Sequence, residues 1–223
     1  MFTPFDENAE RYDRWFESRN GQAVFEIETN CLREAMGTAA GRWLEVGVGT
    51  GRVAGSLDIL LEGLDPSPRM LAIAERRGIQ CVRGVAEDMP YPESSFDGVV
   101  MVTTLCFVDN PMRTLSECFR VLKTQGSLVV GIVPAESSWG KLYRAKGRAG
   151  HPMYSRGEFR TCERVILMCK NVGLFLKNVV SCLLSAPEAP PSPSLCYGID
   201  ENAGFVAMRF VKQTRNAPVR RRG

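Results

Sequence analysis

Three glycines and two carboxylates in the first third of the chain have the types and spacing of a small-ligand site. Glu45, Gly47, Gly49 and Gly51 lie in the stretch WLEVGVGTGRVAG, and Asp65 ends the later apolar run ILLEGLD. Glycines let the backbone approach a ligand closely, and a helix that begins after them offers unpaired N–H groups. A carboxylate here is unfavourable beside a pyrophosphate but favourable beside an ammonium or a sulfonium. The stretch therefore predicts a site for a ligand that carries positive charge.

Two other nucleotide-binding loops can be compared with this glycine pattern. The dinucleotide fingerprint GxGxxG has its third glycine one residue later, where this chain has Arg52. The phosphate-binding P-loop needs GKS or GKT after its glycines, and neither follows here. The pattern GxGxG thus excludes the P-loop and disfavours a dinucleotide, although a nicotinamide- or flavin-dependent oxidoreductase stays open as an alternative.

The sequence around the glycines alternates between short apolar runs and amphipathic segments. Strands are predicted in RWLEV, ILLEGLD, IQCVRG, FDGVVMVTTL, SLVVGIV, FLKNVVSCLLS and AGFVAMRFVKQ. Helices are predicted over residues 6–36 and in GRVAGSL, SPRMLAIAERRG (with Ser67 as N-cap), NPMRTLSECFRVLKTQG and SRGEFRTCERVILMCKNVGL. This alternation predicts an α/β fold with a doubly wound, mostly parallel sheet and helices on both faces. In such a sheet the glycine loop lies at the carboxyl edge of the strands, where ligands bind.

Composition and charge disfavour several classes of function. The net charge is +3, and the final segment TRNAPVRRRG holds four arginines and no acid, so the rest of the chain is close to neutral. A near-neutral body disfavours a nucleic-acid partner. No run approaches the roughly 20 apolar residues of a membrane helix, and the N-terminal segment lacks the apolar stretch of a secretory signal. We therefore expect a cytoplasmic protein with no membrane partner.

The cysteines and the histidine do not have the spacing of a metal site. The eight cysteines are scattered, no CxxC pair occurs, and His151 is the single histidine. Common zinc sites need closely spaced pairs, so we predict no metal. Most of the cysteines lie in apolar runs and resemble small core residues of a reducing compartment. A binding role for two or three of the thiols stays open.

Four segments resemble, in order, the motifs of class I S-adenosylmethionine-dependent methyltransferases. LEVGVGTGR resembles the first motif, acid-x-GxGxG, and LLEGLDPSPRML resembles the second. GVAEDMPYPESSFDGVV resembles the stretch that contacts adenine, and VLKTQGSLVV resembles the turn before strand five, with Thr124 and Gln125 in place of Pro and Gly. The likeness is close over residues 38–133. FDENAERYDRWFESRNG is similar to the cap of the small-molecule branch, which includes quinone-biosynthesis enzymes.

The resemblance implies an organisation and a set of cofactor contacts. It implies a Rossmann-like, seven-stranded sheet with the last strand antiparallel, in a single methyltransferase domain (1–212) composed of a helical cap (1–37), a cofactor-binding half (38–133) and a substrate-side half (134–212). The arginine-rich composition of the last residues separately predicts a disordered basic tail (213–223). The implied cofactor-binding residues are Glu45, Gly47, Gly49, Gly51, Asp65, Pro66, Ala86, Glu87, Thr103 and Tyr12.

Individual roles follow from the same resemblance. Asp65 would accept from the ribose hydroxyls, Ala86 and Glu87 would meet the adenine edge, and Glu45 would orient the amino-acid moiety of the cofactor. Apart from the resemblance, Thr103 or Leu105 is a candidate to contact the cofactor through main-chain atoms, with a buried strand end as the alternative. Tyr12 and Trp15 are candidates to close over the cofactor, with core packing as the alternative. Each carboxylate also has a plainer alternative: a helix cap for Asp65, an exposed loop acid for Glu87 and a strand-end charge for Glu45.

The acceptor side is less defined by the sequence. Thr104, Leu105 and Cys106 follow the fourth strand and are candidates for the acceptor pocket, as is the aperiodic segment PAESSWGKLYRAKGRAGHPMYS. The catalytic residue stays unknown, with His151 as a weak candidate for a general base. We expect a small-molecule acceptor, methylated mainly through positioning, by a monomer or homodimer. A protein that binds S-adenosylmethionine without transferring methyl is the main alternative.

Overall fold

The computed structural model describes residues 4–213, whose centre is one sheet of eight strands. The strands are β1 (Arg42–Val46), β2 (Leu60–Asp65), β3 (Gln80–Arg83), β4 (Phe96–Val102), β5 (Leu122–Ile132), β6 (Leu174–Cys182), β7 (Cys196–Tyr197) and β8 (Phe205–Lys212). Their order in the sheet is β3-β2-β1-β4-β5-β8-β6-β7. Strands β1 to β5 pair in parallel, and β8 lies antiparallel between β5 and β6. The predicted fold class is confirmed, and the strand added to it is the two-residue β7 at one edge.

Helices cover both faces of this sheet. They are α1 (Pro4–Glu7), α2 (Ala9–Trp15), α3 (Arg19–Met36), α4 (Arg52–Ser56), α5 (Pro68–Arg76), α6 (Pro111–Val121), α7 (Ser138–Arg148) and α8 (Cys162–Asn171). One apolar cluster joins the sheet to α6 and α8, and a second joins the opposite face to α3 and α7. Strand β4 supplies alternate residues to both, with Val99 and Met101 in the first cluster and Val100 in the second. Burial on both faces explains its nearly uninterrupted apolar sequence.

Several helix ends follow the expected local chemistry. The Ser67 side chain caps α5 by accepting from Met70 N, as predicted. Gly37, after α3, has a φ of +63°, a left-handed conformation that suits glycine. The predicted helix near Gly173 begins only at Cys162, with Thr161 as its N-cap.

Helix α7 lies in the segment in which the sequence analysis found no periodicity. The Ser137 side chain caps it by accepting from Gly140 N. Within α7 only Trp139 and Gly140 are buried. A helix that buries so narrow a strip shows no clear apolar period, which is why its sequence did not predict it.

Within residues 4–213, no helix is long and apolar enough to cross a membrane. The same residues contain no group of three or more His, Cys, Asp or Glu side chains placed to hold a metal ion. All eight cysteines are unpaired. The predicted basic tail lies outside the described residues, except for Gln213.

Candidate active site

The glycine bend between β1 and α4 adopts a conformation that requires glycine. Gly47, Gly49 and Gly51 have φ angles of +75°, +52° and +76°. A Cβ at Gly47 would overlap the Thr104 side chain, and one at Gly51 would lie 2.9 Å from the Cβ of Ala74. A Cβ at Gly49, by contrast, would meet no atom within 4 Å. Two of the glycines are therefore needed for packing, whereas Gly49 borders open space at the carboxyl edge of the sheet.

The carboxylate of Asp65, at the end of β2, accepts a hydrogen bond from the backbone of the glycine bend. Its Oδ2 accepts from Gly49 N at 3.0 Å, and its Oδ1 accepts from Ser67 N at 2.9 Å. Burial raises the pKa of Asp65, and the N–H groups of Ser67 and Gly49 act against this rise. Each carboxylate oxygen can accept more than one hydrogen bond, so both oxygens keep acceptor capacity for a ligand.

Glu45 lies one strand away, near the end of β1. Its side chain is 2% exposed, and its Oε2 has no hydrogen-bond partner among the described residues. Burial raises its pKa well above the usual range; the Ala54 N–H opposes this rise, and the charge of Asp65 adds to it. A buried acceptor without a donor is costly, and a cationic donor placed beside it would relieve that cost.

The predicted adenine-side residues occupy a turn near the start of α6. Ala86 is buried, and the Oε1 of Glu87 accepts from Asn110 N at 3.1 Å. The Arg113 Nε donates to the Glu87 carbonyl at 2.7 Å. Pro66 is exposed directly after Asp65. These contacts orient Glu87 and leave its second carboxylate oxygen without a hydrogen bond from residues 4–213.

Thr103 carries an unusual backbone at the end of β4. Its φ is +50°, a left-handed conformation that is rare for a β-branched residue. The Thr103 N–H donates to the Gly131 carbonyl at 2.8 Å, and the Cys106 Sγ donates to the Thr103 carbonyl at 3.1 Å. Such conformations cluster at functional sites, where surrounding contacts hold them.

The N-terminal helices cover this edge of the sheet with aromatic rings. Phe5 packs edge-on against Phe107, with 4.8 Å between the ring centroids, and against Tyr12, with 6.3 Å between the centroids. Burial raises the pKa of Tyr12, and charges that include those of Glu45 and Asp65 raise it further. Tyr12 therefore lies within electrostatic range of both carboxylates. Trp15, its expected companion, is 41% exposed and packs edge-on against Phe16.

Two carboxylates of the cap fasten it to the cofactor-binding half. Asp13 of α2 accepts from the Arg52 Nε at 2.8 Å and from the Arg77 Nη2 at 2.7 Å. Arg77 also donates to the Thr50 carbonyl in the glycine bend at 2.7 Å. Asp6 of α1 accepts from the Ser67 Oγ at 2.6 Å. The cap is thus tied to the glycine bend and to the start of α5.

Replacing Asp13 by asparagine should loosen the cap. Burial alone would raise the pKa of Asp13, but hydrogen bonds from Arg52 and Arg77 lower it to about 2, from 3.8 in a free side chain. Because the folded-state pKa is the lower one, the stabilisation is complete above about pH 4 and is lost as the pH falls toward 2. We expect Asp13→Asn to cost about 2 kcal/mol near pH 6.

Urea unfolding of wild type and Asp13→Asn between pH 2 and pH 7 measures this difference. The difference in unfolding free energy between the two proteins should shrink toward zero as the pH falls toward 2. Glu10→Gln, an exposed acid of the same helix, is the matched control and should change little. A difference for Asp13→Asn that is absent at pH 6, or independent of pH, would contradict the proposed anchoring of the cap.

A small cavity and a row of stacked rings lie beyond the ends of β4 and β5. The cavity is lined by residues that include Thr103, Leu105, Cys106, Phe159 and Arg160. In this row, each ring is stacked on the next. The ring centroids of His151 and Tyr154 are 4.4 Å apart, those of Tyr154 and Tyr143 are 4.7 Å apart, and those of Tyr143 and Phe159 are 6.0 Å apart. Burial lowers the pKa of His151, as do the charges of Arg11 and Lys146.

Comparison with known proteins identifies the family. A protein-family model described as a methyltransferase domain matches residues 44–130 of this chain. An uncharacterised protein of Methanocaldococcus jannaschii is 37% identical over 175 residues, which cover 78% of this chain and 82% of the relative. A crystal structure from Thermotoga maritima, described as an S-adenosylmethionine-dependent methyltransferase and possible histamine N-methyltransferase, superposes with a TM-score of 0.86 at 34% identity and covers 94% of this chain and 98% of its own. The chain belongs to the class I S-adenosylmethionine-dependent methyltransferases.

A further relative of this methyltransferase has a named activity. The demethylmenaquinone methyltransferase of Tropheryma whipplei is 41% identical over 100 residues, which cover 42% of each chain. The predicted family, enzyme class and cofactor are confirmed. The cofactor also fits the residues present: the open space at Gly49, the spare acceptor capacity of Asp65 and the unpartnered oxygen of Glu45 suit a cationic nucleoside.

Sequence reasoning missed the residues that hold the cap of the methyltransferase. Asp13 and Arg77 bond across long stretches of sequence, and no motif marks such a pair. The one available signal was Arg52, which stands where a dinucleotide loop would have glycine. The stacking of Tyr143 on Tyr154 was missed for the same reason, since it depends on how α7 packs against the segment that follows it.

Proposed function

We propose that this methyltransferase transfers a methyl group from S-adenosylmethionine to a small-molecule acceptor, mainly by positioning the two. The observation that carries the proposal is the open left-handed bend at Gly49 between the carboxylates of Asp65 and Glu45. When bound, S-adenosylmethionine supplies a methyl group on a sulfonium sulfur, which is already a strong electrophile. Positioning can then supply most of the rate enhancement, about 7–11 kcal/mol in favourable systems.

The proposed cofactor contacts follow the carboxyl ends of the strands. Asp65 would hold the ribose through its remaining lone pairs, and Pro66, Ala86 and Glu87 would border the nucleoside. Glu45 would accept from the ammonium of the amino-acid moiety. Gly47, Gly49 and Gly51 would line the cofactor with backbone, Thr103 would contact it through its main chain, and Tyr12 would close over it.

The acceptor would lie between the cap and the substrate-side half of a single domain. The cavity at Thr103, Leu105 and Cys106 and the nearby stacked rings support this location. His151 stays the sequence-based candidate for a general base, and its lowered pKa keeps the imidazole neutral near pH 7. A cytoplasmic location, the lack of a nucleic-acid partner, and a monomer or homodimer also remain predictions.

Calorimetry followed by turnover tests the proposed function. S-adenosylmethionine and S-adenosylhomocysteine should bind with micromolar affinity, and NAD should not bind. Transfer of a labelled methyl group to at least one member of a panel of small amines, phenols, thiols and quinols should follow. Binding without any transfer would favour the non-catalytic alternative, and tight NAD binding would favour an oxidoreductase.

A further inference from the structure

The first half of the glycine bend is bonded to the end of β2, whereas its second half is not. Gly47 N donates to the Leu64 carbonyl at 2.8 Å, and Gly49 N donates to Asp65 at 3.0 Å. Thr50, the next residue, is 2% exposed, and no backbone N–H of residues 4–213 donates to its carbonyl. A buried carbonyl without a donor is costly, so the second half of the bend needs a partner from outside the sheet.

Arg77, the residue that follows α5, supplies this partner. Its Nη1 donates to the Thr50 carbonyl at 2.7 Å, and its Nη2 donates to the Oδ2 of Asp13 in the cap at 2.7 Å. Both nitrogens belong to one planar guanidinium, so the carboxylate that binds one of them also orients the other. Asp13 therefore helps to fix the position of a carbonyl to which it is not itself bonded.

The bend also packs against α5 at the residue after Thr50. Gly51 has a φ of +76°, and a Cβ there would lie 2.9 Å from the Cβ of Ala74. Arg77 comes three residues after Ala74, so the same end of α5 contacts the bend both by packing and by a hydrogen bond. A rotation of the peptide that carries the Thr50 carbonyl would change the backbone next to Gly49, which borders the proposed cofactor position.

Arg52 offers a matched comparison, because its side chain binds the same carboxylate without continuing to the bend. Its Nε donates to Asp13 Oδ1 at 2.8 Å, and its Nη2 donates to Asp13 and to Glu17. Within residues 4–213, no hydrogen bond of the Arg52 side chain goes to the glycine bend. Both arginines thus fasten the cap, whereas Arg77 also holds the Thr50 carbonyl.

We propose that Asp13, Arg77 and the Thr50 carbonyl form a relay through which the docked cap holds the glycine bend in the conformation that binds the cofactor. Arg77 is a positioning residue in this relay, since it acts on the cofactor through the bend. The inference rests on the proposed function, because it needs the cofactor to lie at Gly49. Docking of the cap and binding of the cofactor then strengthen each other by the same factor, as linkage requires.

Calorimetry with S-adenosylhomocysteine on single variants tests the relay. Arg77→Met should weaken binding at least about tenfold, because the Thr50 carbonyl loses its donor. Arg52→Met, which loosens the cap at the same carboxylate, should weaken binding no more than about twofold. Equal losses in these two variants would show that the cap acts only as a cover, and they would overturn the relay.

Two further substitutions separate the hydrogen bond from the charge. Arg77→Lys keeps a cationic donor near the Thr50 carbonyl, so it should bind S-adenosylhomocysteine at least about threefold more tightly than Arg77→Met. Arg76→Met removes the exposed neighbouring charge and should bind like wild type. No recovery with lysine, or a loss in Arg76→Met as large as that in Arg77→Met, would contradict the relay.

A double-mutant cycle tests whether Asp13 acts through Arg77. Asp13→Asn alone should weaken S-adenosylhomocysteine binding about fivefold. Added to Arg77→Met, the same change should weaken binding less than about twofold further, because the guanidinium that Asp13 orients is gone. Additive losses would show that Asp13 affects binding by another route. Thermal melting of each variant restricts the comparison to folded proteins.

Hydrogen exchange measures the coupling in the opposite direction, from the cofactor to the cap. S-adenosylhomocysteine should slow the exchange of the α2 amides (Ala9–Trp15) at least about fivefold in wild type, and most of this protection should be lost in Arg77→Met at saturating ligand. Protection that survives in Arg77→Met would show that the ligand stabilises the cap without the relay. Wild-type α2 amides that exchange equally with and without ligand would overturn the relay without the use of any variant.

The outcomes separate this inference from the proposed function. If wild type and folded Arg77→Met bind S-adenosylhomocysteine alike, the relay is wrong and the methyltransferase proposal stands. If wild type itself does not bind S-adenosylhomocysteine, the proposed function fails and the relay fails with it.

Discussion

Replacing Asp65 by asparagine should weaken S-adenosylhomocysteine binding by about 100-fold, equivalent to about 2.7 kcal/mol. The Asp65 carboxylate accepts from Gly49 N and Ser67 N at the same time, one bond to each oxygen. An amide has one acceptor oxygen and one donor nitrogen, so one backbone N–H would face another donor. The variant therefore loses a ribose acceptor and also disturbs the glycine bend. Isothermal titration calorimetry measures the loss of affinity.

The control for this prediction is Asp58→Asn, an exposed acid just before β2. It should bind S-adenosylhomocysteine like wild type. Thermal melting of both variants separates a local loss of binding from unfolding. An Asp65→Asn protein that stays folded and binds within about threefold of wild type would contradict the role of this carboxylate.

Alanine at Gly49 and alanine at Gly47 should have opposite consequences. A methyl group at Gly49 enters open space, so the fold should lose only the roughly 1 kcal/mol cost of a left-handed alanine. That open space is the proposed cofactor position, and S-adenosylhomocysteine binding should fall by about tenfold or more. A methyl group at Gly47 meets the Thr104 side chain, so this variant should lose about 2 kcal/mol or more of stability.

Chemical denaturation and calorimetry on the same samples distinguish the two glycine variants. The stability of Gly49→Ala should stay near that of wild type while its affinity falls, whereas Gly47→Ala should be destabilised. Gly55→Ala is a control, because a Cβ there also meets nothing within 4 Å and this helical glycine has no left-handed φ. Normal cofactor affinity in Gly49→Ala would show that the open space does not hold the ligand.

The sequence predicted the elements whose determinants are local. The glycine bend was recognisable because Gly47, Gly49 and Gly51 follow an apolar strand at short spacing, and Asp65 because it ends the next one. Ser67, the N-cap residue of α5, was recognisable in the same way. Each of these features needs only a few consecutive residues, and the repeated alternation of strand and helix then specifies the sheet.

The parts that were not predicted depend on contacts distant in sequence. The bonds from Asp13 to Arg52 and Arg77 join three separate elements, and no single segment encodes them. Helix α7 escaped prediction because it buries only a narrow strip of its surface.

A crystal structure of the protein with S-adenosylhomocysteine is the most direct test of the proposed cofactor site. We predict that both ribose hydroxyls donate to the Asp65 carboxylate, that the ligand passes over Gly49, and that its ammonium lies within hydrogen-bond reach of Glu45. A nucleoside bound elsewhere, with Asp65 still bonded only to Gly49 and Ser67, would contradict this assignment.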